Sequence, residues 1–266
     1  MIGNFTIGQY YPAKSLMHRL DPRVKITCVF LYFLVLFLSV DYFTYALLLM
    51  FSAIVIKISR VPLRTIVKAL KPILIFVVMT AFLHFFFTPG TELFRWKIVK
   101  VTREGLDKGV FMSLRLILLI GVSSLLTFTT TPISLTDGME SMLGPLKKIK
   151  VPAHELAMMM TIALRFIPTL LEETDRIMKA QMSRGVDFRK GGITKKVRAI
   201  VPLLVPLFIS AFRRAEDLAL AMEARGYHGG EGRTRMRSLQ KITFENYFVI
   251  LIMLIFLFFM VYYRWF

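Results

Sequence analysis

The sequence predicts an all-α, polytopic membrane protein with about five transmembrane helices and a cytoplasmic module of two long amphipathic helices plus a shorter one. Hydrophobic residues make up 56% of its 266 positions, whereas soluble domains have about 45–50%, and the mean hydropathy is +0.61. The apolar residues are concentrated in blocks of the length that crosses a bilayer. The basic residues exceed the acidic ones by 18 and are concentrated between particular blocks, as is typical of membrane proteins.

Five apolar segments are candidates for crossing the bilayer, which takes roughly 17–25 residues. In chain order they are 24–40, 42–56 (slightly shorter than the others), 72–88, 109–130 and 247–263. The first twenty residues have neither an apolar core nor a small-residue cleavage site, so we expect the first segment to be retained as a span. The last segment has no charged residue and is followed by an aromatic belt typical of a membrane surface.

The charges between these segments predict the orientation in the cell membrane. Five basic residues and no acidic one lie between the second and third segments, and the long stretch 131–241 has 19 basic and 11 acidic residues. Because Lys and Arg accumulate in cytoplasmic loops, we expect the N-terminus and both stretches inside and the C-terminus outside. Anionic lipid is a sufficient partner for this charge, and no nucleic acid is expected.

The chain is expected to divide into a membrane part (1–130), a cytoplasmic helical module (131–244) and a final transmembrane helix (245–266). Within the module, apolar periodicity predicts three helical stretches, at 134–150, 153–183 and 194–224. Gly144-Pro145 is expected to break the first. The apolar centre of the third, 199–212, could be a sixth span, but segments of 10–14 apolar residues are more often buried or interfacial, and we expect it not to cross.

Both long helices are predicted to end in the same way. The first closes with Ser183-Arg184-Gly185 and the second with Ala224-Arg225-Gly226, at an offset of 41 residues. One such end has an ordinary explanation, because Gly readily ends helices and a cation favours the negative end of the helix dipole. Two of them in one basic module also fit docking, since a guanidinium at a helix tip suits an acidic groove on a partner.

These motifs resemble the pair of X-Arg-Gly motifs in the T (transmembrane coupling) component of energy-coupling factor transporters. The second motif lies within EDLALAMEARGY (216–227), and LDPRVK (20–25) is also similar to the family, whose layout covers essentially the whole chain. The first motif departs from the family pattern in having Ser183, where Ala is frequent. The resemblance implies import of a vitamin or metal ion through an ATP-driven complex in which this chain binds neither ATP nor substrate.

The resemblance also implies the partners. The two Arg-Gly helix ends would each dock on one of two ATP-binding cassette ATPase subunits, through Ser183, Arg184, Gly185, Ala224, Arg225 and Gly226. The spans and the apolar faces of the long helices would hold a substrate-binding S component, and the face residues that we assign to it are Met159, Met160, Ala163, Ile167, Leu204 and Phe208.

Other function classes find less support in the sequence. It contains no P-loop, and its four histidines and single cysteine have no metal-site spacing, so that neither a cofactor nor a metal is expected. A substrate-translocating permease of an ABC importer remains the alternative, although the spans offer few polar residues for a pathway. An enzyme acting on lipid would need paired carboxylates or histidines near the interface. Arg115, near the start of the fourth segment, is either functional or close enough to the interface to snorkel.

Overall fold

The computed structural model describes residues 10–96, 99–144, 152–186, 192–229 and 243–265. The described elements, in chain order, are α1 (Leu16–Arg19), α2 (Pro22–Leu38), α3 (Tyr42–Ser59), α4 (Leu63–Leu70), a 3₁₀ turn (Lys71–Ile73), α5 (Leu74–Phe87), β1 (Glu92–Trp96), β2 (Val99–Thr102), α6 (Arg103–Thr129), α7 (Pro132–Leu143), α8 (Ala153–Ser183), α9 (Ile193–Ala224) and α10 (Phe244–Trp265). The predicted all-α class is confirmed. The antiparallel hairpin β1–β2, in which Glu92 pairs with Thr102, lies in a loop for which the sequence predicted no structure.

Local signals explain where the main helices begin. Asp21 caps α2 by accepting a hydrogen bond from the backbone N–H of Arg23 at 2.9 Å, and Pro22 occupies the first helical position, where its missing N–H is not needed. The α6 helix begins six residues before the predicted segment, because the Thr102 hydroxyl accepts a hydrogen bond from the N–H of Gly105 at 3.1 Å. α7 ends at Leu143, before the predicted break, and 145–151 lie outside the described residues.

Five helices of the described chain are long and apolar enough to cross a bilayer, which confirms the predicted number but changes the set. They are α3, the stretch Leu63–Phe87 that includes α4 and α5, α6, α8 from His154, and α10. With 17 residues, α2 lies at the short end of the crossing range. α8 qualifies through its apolar first half, although it was predicted as a cytoplasmic amphipathic helix.

The chain forms two compact units. The membrane unit contains the described residues up to Gly138 together with α10, and the long-helix unit contains those from Met139 to Gly229. The core of the membrane unit is an apolar cluster from α2, α3, α6 and α10, whose buried members are Tyr32, Val35, Leu36, Tyr45, Leu48, Leu118, Met253 and Met260.

Cations cap helix ends inside the membrane unit. Lys25 in α2 is buried, and its Nζ donates to the Thr129 carbonyl at 2.9 Å and to Thr130 Oγ1 at 3.2 Å, at the end of α6. These bonds satisfy polar groups that water cannot reach.

Arg115 and Arg264 also donate hydrogen bonds to helix-end carbonyls, in this case at the end of α2. Arg115 Nη2 donates to the Ser39 carbonyl at 3.1 Å, and Arg264 Nη1 donates to the Leu38 carbonyl at 2.9 Å, so both arginines cap the end of α2. Arg115 Nε also donates to Tyr45 Oη at 3.1 Å. Arg115 therefore holds α2, α3 and α6 together, a structural role that the sequence left open.

Replacing Lys25 with Met should destabilise the membrane unit. The Met side chain keeps the apolar stem but leaves the Thr129 carbonyl without its donor, and a hydrogen bond from a charged group is worth about 1.5–3 kcal/mol. We expect the midpoint of thermal unfolding in detergent to fall by several degrees, at about 2–4 °C per kcal/mol. Lys57→Met, at an exposed position of α3, is the control, and an equal midpoint for both variants would contradict the capping role.

Candidate functional site: two matching helix tips

The two long helices end in the same backbone arrangement. In each, the N–H of the residue after the glycine bonds to the carbonyl five positions back, and the N–H of the glycine bonds to the carbonyl three positions back. The four bonds are Val186 to Gln181 (3.0 Å), Gly185 to Met182 (3.0 Å), Tyr227 to Met222 (3.0 Å) and Gly226 to Glu223 (2.8 Å). Both ends are therefore Schellman motifs.

The glycines are required by the backbone at these ends. Gly185 has φ +90° and Gly226 has φ +70°, in the left-handed region that glycine adopts at little cost. The cap is thus made by main-chain bonds and by glycine, and the structure does not need an arginine to close either helix.

The arginines of the two tips are exposed and unengaged. Arg184 and Arg225 both lie on the surface of the long-helix unit, and neither guanidinium has a hydrogen bond or an ion pair with any residue that the structure describes. Ser183 and Ala224, which precede them, are also exposed. Each tip therefore presents a planar, permanently charged fork that is free to bind a carboxylate in two-pronged geometry.

One ion pair joins the two helices at equivalent positions. Arg214 Nη2 of α9 lies 2.9 Å from Glu173 Oε2 of α8, and the two residues are 41 positions apart, which is also the offset between Arg184 and Arg225. Each tip consequently lies eleven residues beyond the pair, or about 17 Å of helix. The pair makes the two arms equal in length.

Small residues allow the helices to approach each other near the pair. A small apolar groove of about 310 Å³ lies between α8 and α9, and its walls are Ile162, Phe166, Ala211, Ala215, Leu218, Ala219 and Met222. Three of these are alanines of α9, the residue type that lets helix backbones pack closely.

The predicted partner-facing residues lie on exposed apolar faces. Met159 is 54% exposed and Phe208 is 60% exposed; Met160, Ala163 and Leu204 are exposed as well, whereas Ile167 is half-buried. The face on α9 is wider than predicted and also includes Ile200, Val201, Val205, Ile209 and Phe212. The signal for these in the sequence is the recurrence of large apolar residues at helical spacing through 199–212.

The long-helix unit offers little for catalysis within the described residues. No three His, Cys, Asp or Glu side chains converge there as metal ligands would. His154 Nδ1 lies 3.1 Å from Glu140 Oε1, a contact between α8 and α7. The site is therefore best described as a pair of charged tips with adjoining apolar faces.

Comparisons with known proteins cover nearly the whole chain. The sequence profile of the CbiQ family, described as cobalt transport protein, matches residues 13–236. The energy-coupling factor transporter transmembrane protein EcfT of Acidaminococcus fermentans is 58% identical over 239 residues, which are 90% of this chain and 89% of that protein. The protein of the same name from Bacillus subtilis is 56% identical over 240 residues (90% and 91%), and that from Ruminiclostridium cellulolyticum 53% over 245 (92% and 92%).

Reversing the charges of the ion pair tests its role in joining α8 and α9. Glu173→Arg or Arg214→Glu alone places like charges together, and both changes at once restore attraction. Because the side chains are 24% and 38% exposed, we expect a favourable coupling of about 0.2–1 kcal/mol in a double-mutant cycle of unfolding free energies.

The pair Glu172–Arg176 serves as the control cycle. It lies within α8 alone, at 3.9 Å and with side chains 70–81% exposed, so its coupling should be smaller and should not affect the joining of the helices. A coupling of zero for Glu173 and Arg214 would show that the pair does not hold the crossing.

Proposed function

This chain belongs to the CbiQ family, and we propose that it is the subunit that couples two ATP-binding cassette ATPases to a substrate-binding S component. Membership makes the chain a transmembrane component of an energy-coupling factor transporter, as the Arg-Gly motifs predicted. Uptake of a vitamin or a metal ion follows from the resemblance, and the cobalt in the family description is consistent with it. The chain itself would be non-catalytic, and ATP hydrolysis would take place in the ATPase partners.

The observation that carries the proposal is the matched pair of tip guanidiniums, neither of which is bound by a residue that the structure describes. Two ATPase subunits would present two grooves, and two helices with equal arms and equal caps present two matching tips. Arg184 and Arg225 would each enter a groove on one ATPase and pair with a carboxylate there. The flanking Ser183, Gly185, Ala224 and Gly226 lack long side chains, so the helix tips can approach the groove walls closely.

The ion pair Glu173–Arg214 supports a mechanism for coupling. When the ATPases close on nucleotide, the grooves move and carry the tips with them. Because α8 and α9 are joined 17 Å or so from each tip, a displacement of the tips changes the angle at which the helices cross. The apolar faces that flank the crossing would then move the S component.

The apolar faces support the position of the S component. Met159, Met160, Ala163 and Ile167 on α8 and Leu204 and Phe208 on α9 would contact it, because apolar faces of this extent are rarely left open to water. Such a face can bind an apolar membrane protein without specific polar contacts.

We place α8 with the cytoplasmic helices and the C-terminus outside the cell membrane. The second half of α8 carries Glu172, Glu173, Asp175, Arg176 and Lys179, and charges at this density are expensive inside a bilayer. Its apolar first half would contact the S component or lipid rather than cross the membrane.

Removing both tip arginines should abolish transport. In Arg184→Ala with Arg225→Ala, each ATPase loses a paired charge at a buried interface, which typically costs about 2–5 kcal/mol. If the arginines only stabilised the helix ends, removing one would cost about 0.3–1 kcal/mol of helix stability. We expect the variant to insert and fold with an unchanged unfolding midpoint, while ATP-dependent uptake is lost and ATPase co-purification is weakened.

Three control variants sharpen this experiment. Arg176→Ala removes an exposed arginine from α8 and should leave uptake intact. Arg→Lys at both tips should abolish uptake, because a point charge cannot replace the two-pronged guanidinium. Met159→Asp with Ile167→Asp should lose the S component and keep the ATPases. Uptake near the wild-type rate in the double Ala variant would refute the mechanism, and co-purification of ATPases without any S component would favour a permease.

Labelling of single cysteines tests the orientation. After Cys28→Ser, a cysteine in place of Trp265 should react with a membrane-impermeant maleimide in intact cells. One in place of Lys148, which lies outside the described residues, should react only after permeabilisation. If α10 alone crosses the membrane between positions 148 and 265, the two cysteines lie on opposite sides. If both α8 and α10 cross, the two cysteines lie on the same side. The second result would contradict our placement of α8.

A further inference from the structure

The membrane unit contains a large apolar cavity. Its volume is about 510 Å³, and its walls come from α1, α2, α3, α4, α6 and α10. Residues that represent these walls are Cys28, Ile58, Leu70, Gly121 and Ile252. In a liquid, a methylene group and a water molecule each occupy about 30 Å³. The cavity therefore has room for roughly 17 chain carbons.

Most of the hydrogen-bonding capacity of the polar groups in the cavity wall is already used. Ser52 Oγ donates to the Leu48 carbonyl at 2.7 Å, and Tyr32 Oη lies 2.7 Å from Ser52 Oγ, to which it can donate. Lys25 Nζ uses two of its three protons on the end of α6. A polar ligand would find few partners along this wall, whereas a hydrocarbon chain needs none.

Basic residues lie on two of the helices that form the wall. α4 places Ile66 and Leu70 in the cavity wall, and its exposed cations Arg64 and Lys68, followed by Lys71, recur at a spacing of four and three residues. These three side chains therefore lie along one face of the helical stretch. Such a basic, amphipathic helix is typical of the interface with anionic lipid.

The end of α3 adds to the same charge. Lys57 and Arg60 are exposed, and the stretch from 57 to 71 contains no acidic residue. Ile54 and Ile58, next to them on α3, belong to the cavity wall. Apolar volume and positive charge thus come from the same two elements, α3 and α4.

We propose that the cavity is a binding site for one acyl chain of an anionic phospholipid, whose phosphate is held by the basic segment 57–71. The proposal does not depend on the coupling function. A lipid in this position would complete the packing of α2, α3, α6 and α10.

Gly121 provides a way to fill the cavity without disturbing its walls. A Cβ placed on Gly121 meets no atom within 4 Å, so Gly121→Leu projects its side chain into open space. The purified full chain is reconstituted in nanodiscs that contain phosphatidylglycerol with a diazirine near the middle of one acyl chain. After irradiation, labelled peptides are identified by mass spectrometry.

We expect labels on the wall segments of α6 and α10 in the wild type and about tenfold fewer in Gly121→Leu, the loss that corresponds to displacing roughly two methylenes. Ser123→Leu is the matched control, since Ser123 is exposed on the same helix and is not a wall residue. Equal labelling of the walls in both variants would overturn the proposal. Labelling that is no stronger at the cavity walls than at the exposed Phe76 or Phe258 would also overturn the proposal, because bulk lipid that surrounds the protein would give the same pattern.

The headgroup is tested with a second set of variants and native mass spectrometry. Arg64→Gln, Lys68→Gln and Lys71→Gln together should remove the preference for phosphatidylglycerol over phosphatidylcholine, and Lys108→Gln, at the opposite end of α6 from the cavity, should keep it. A wild-type chain that retains the two lipids equally would refute the phosphate contact, and with it the anionic specificity that we propose.

Discussion

The membrane unit is organised by the need to satisfy the carbonyl groups at the ends of its helices. A helix leaves its last carbonyls without donors, and hydrocarbon supplies none. Lys25 supplies donors at the end of α6, and Arg115 and Arg264 supply them at the end of α2. Because each cation belongs to another helix, each cap is also a link between helices. The core of Tyr32, Tyr45 and their neighbours is packed within this frame.

The long-helix unit uses a different cap, and this difference frees its arginines. In the membrane unit the guanidiniums of Arg115 and Arg264 donate to carbonyls at the end of α2. At the ends of α8 and α9, Gly185 and Gly226 adopt positive φ and let the main chain bond to itself. Arg184 and Arg225 can then bind a partner instead of their own helix. The same residue type is structural in one unit and available for recognition in the other.

The ion pair between α8 and α9 sets geometry more than stability. A partly exposed pair contributes at most about 1 kcal/mol, which is small beside the apolar packing along the two helices. Its value lies in its position, since Glu173 and Arg214 have the same offset as the two tip arginines. A weak contact at this point would suit the proposed coupling mechanism, because a strong one would resist a change in the angle between the helices.

The sequence by itself determined the elements that depend on local periodicity and on short motifs. The bounds of α8, the repeated Arg-Gly ends and four of the five apolar segments that could cross a bilayer followed from residue spacing, because helix period and bilayer thickness act along the chain. Tertiary structure decided what depends on residues far apart in sequence. Lys25 reaches Thr129, Arg115 reaches Ser39, Glu173 meets Arg214, and the apolar cavity has walls from six helices. None of these contacts leaves a local pattern, since each is set by how helices pack. Only the packed chain shows which cations are occupied by other described residues and which are not.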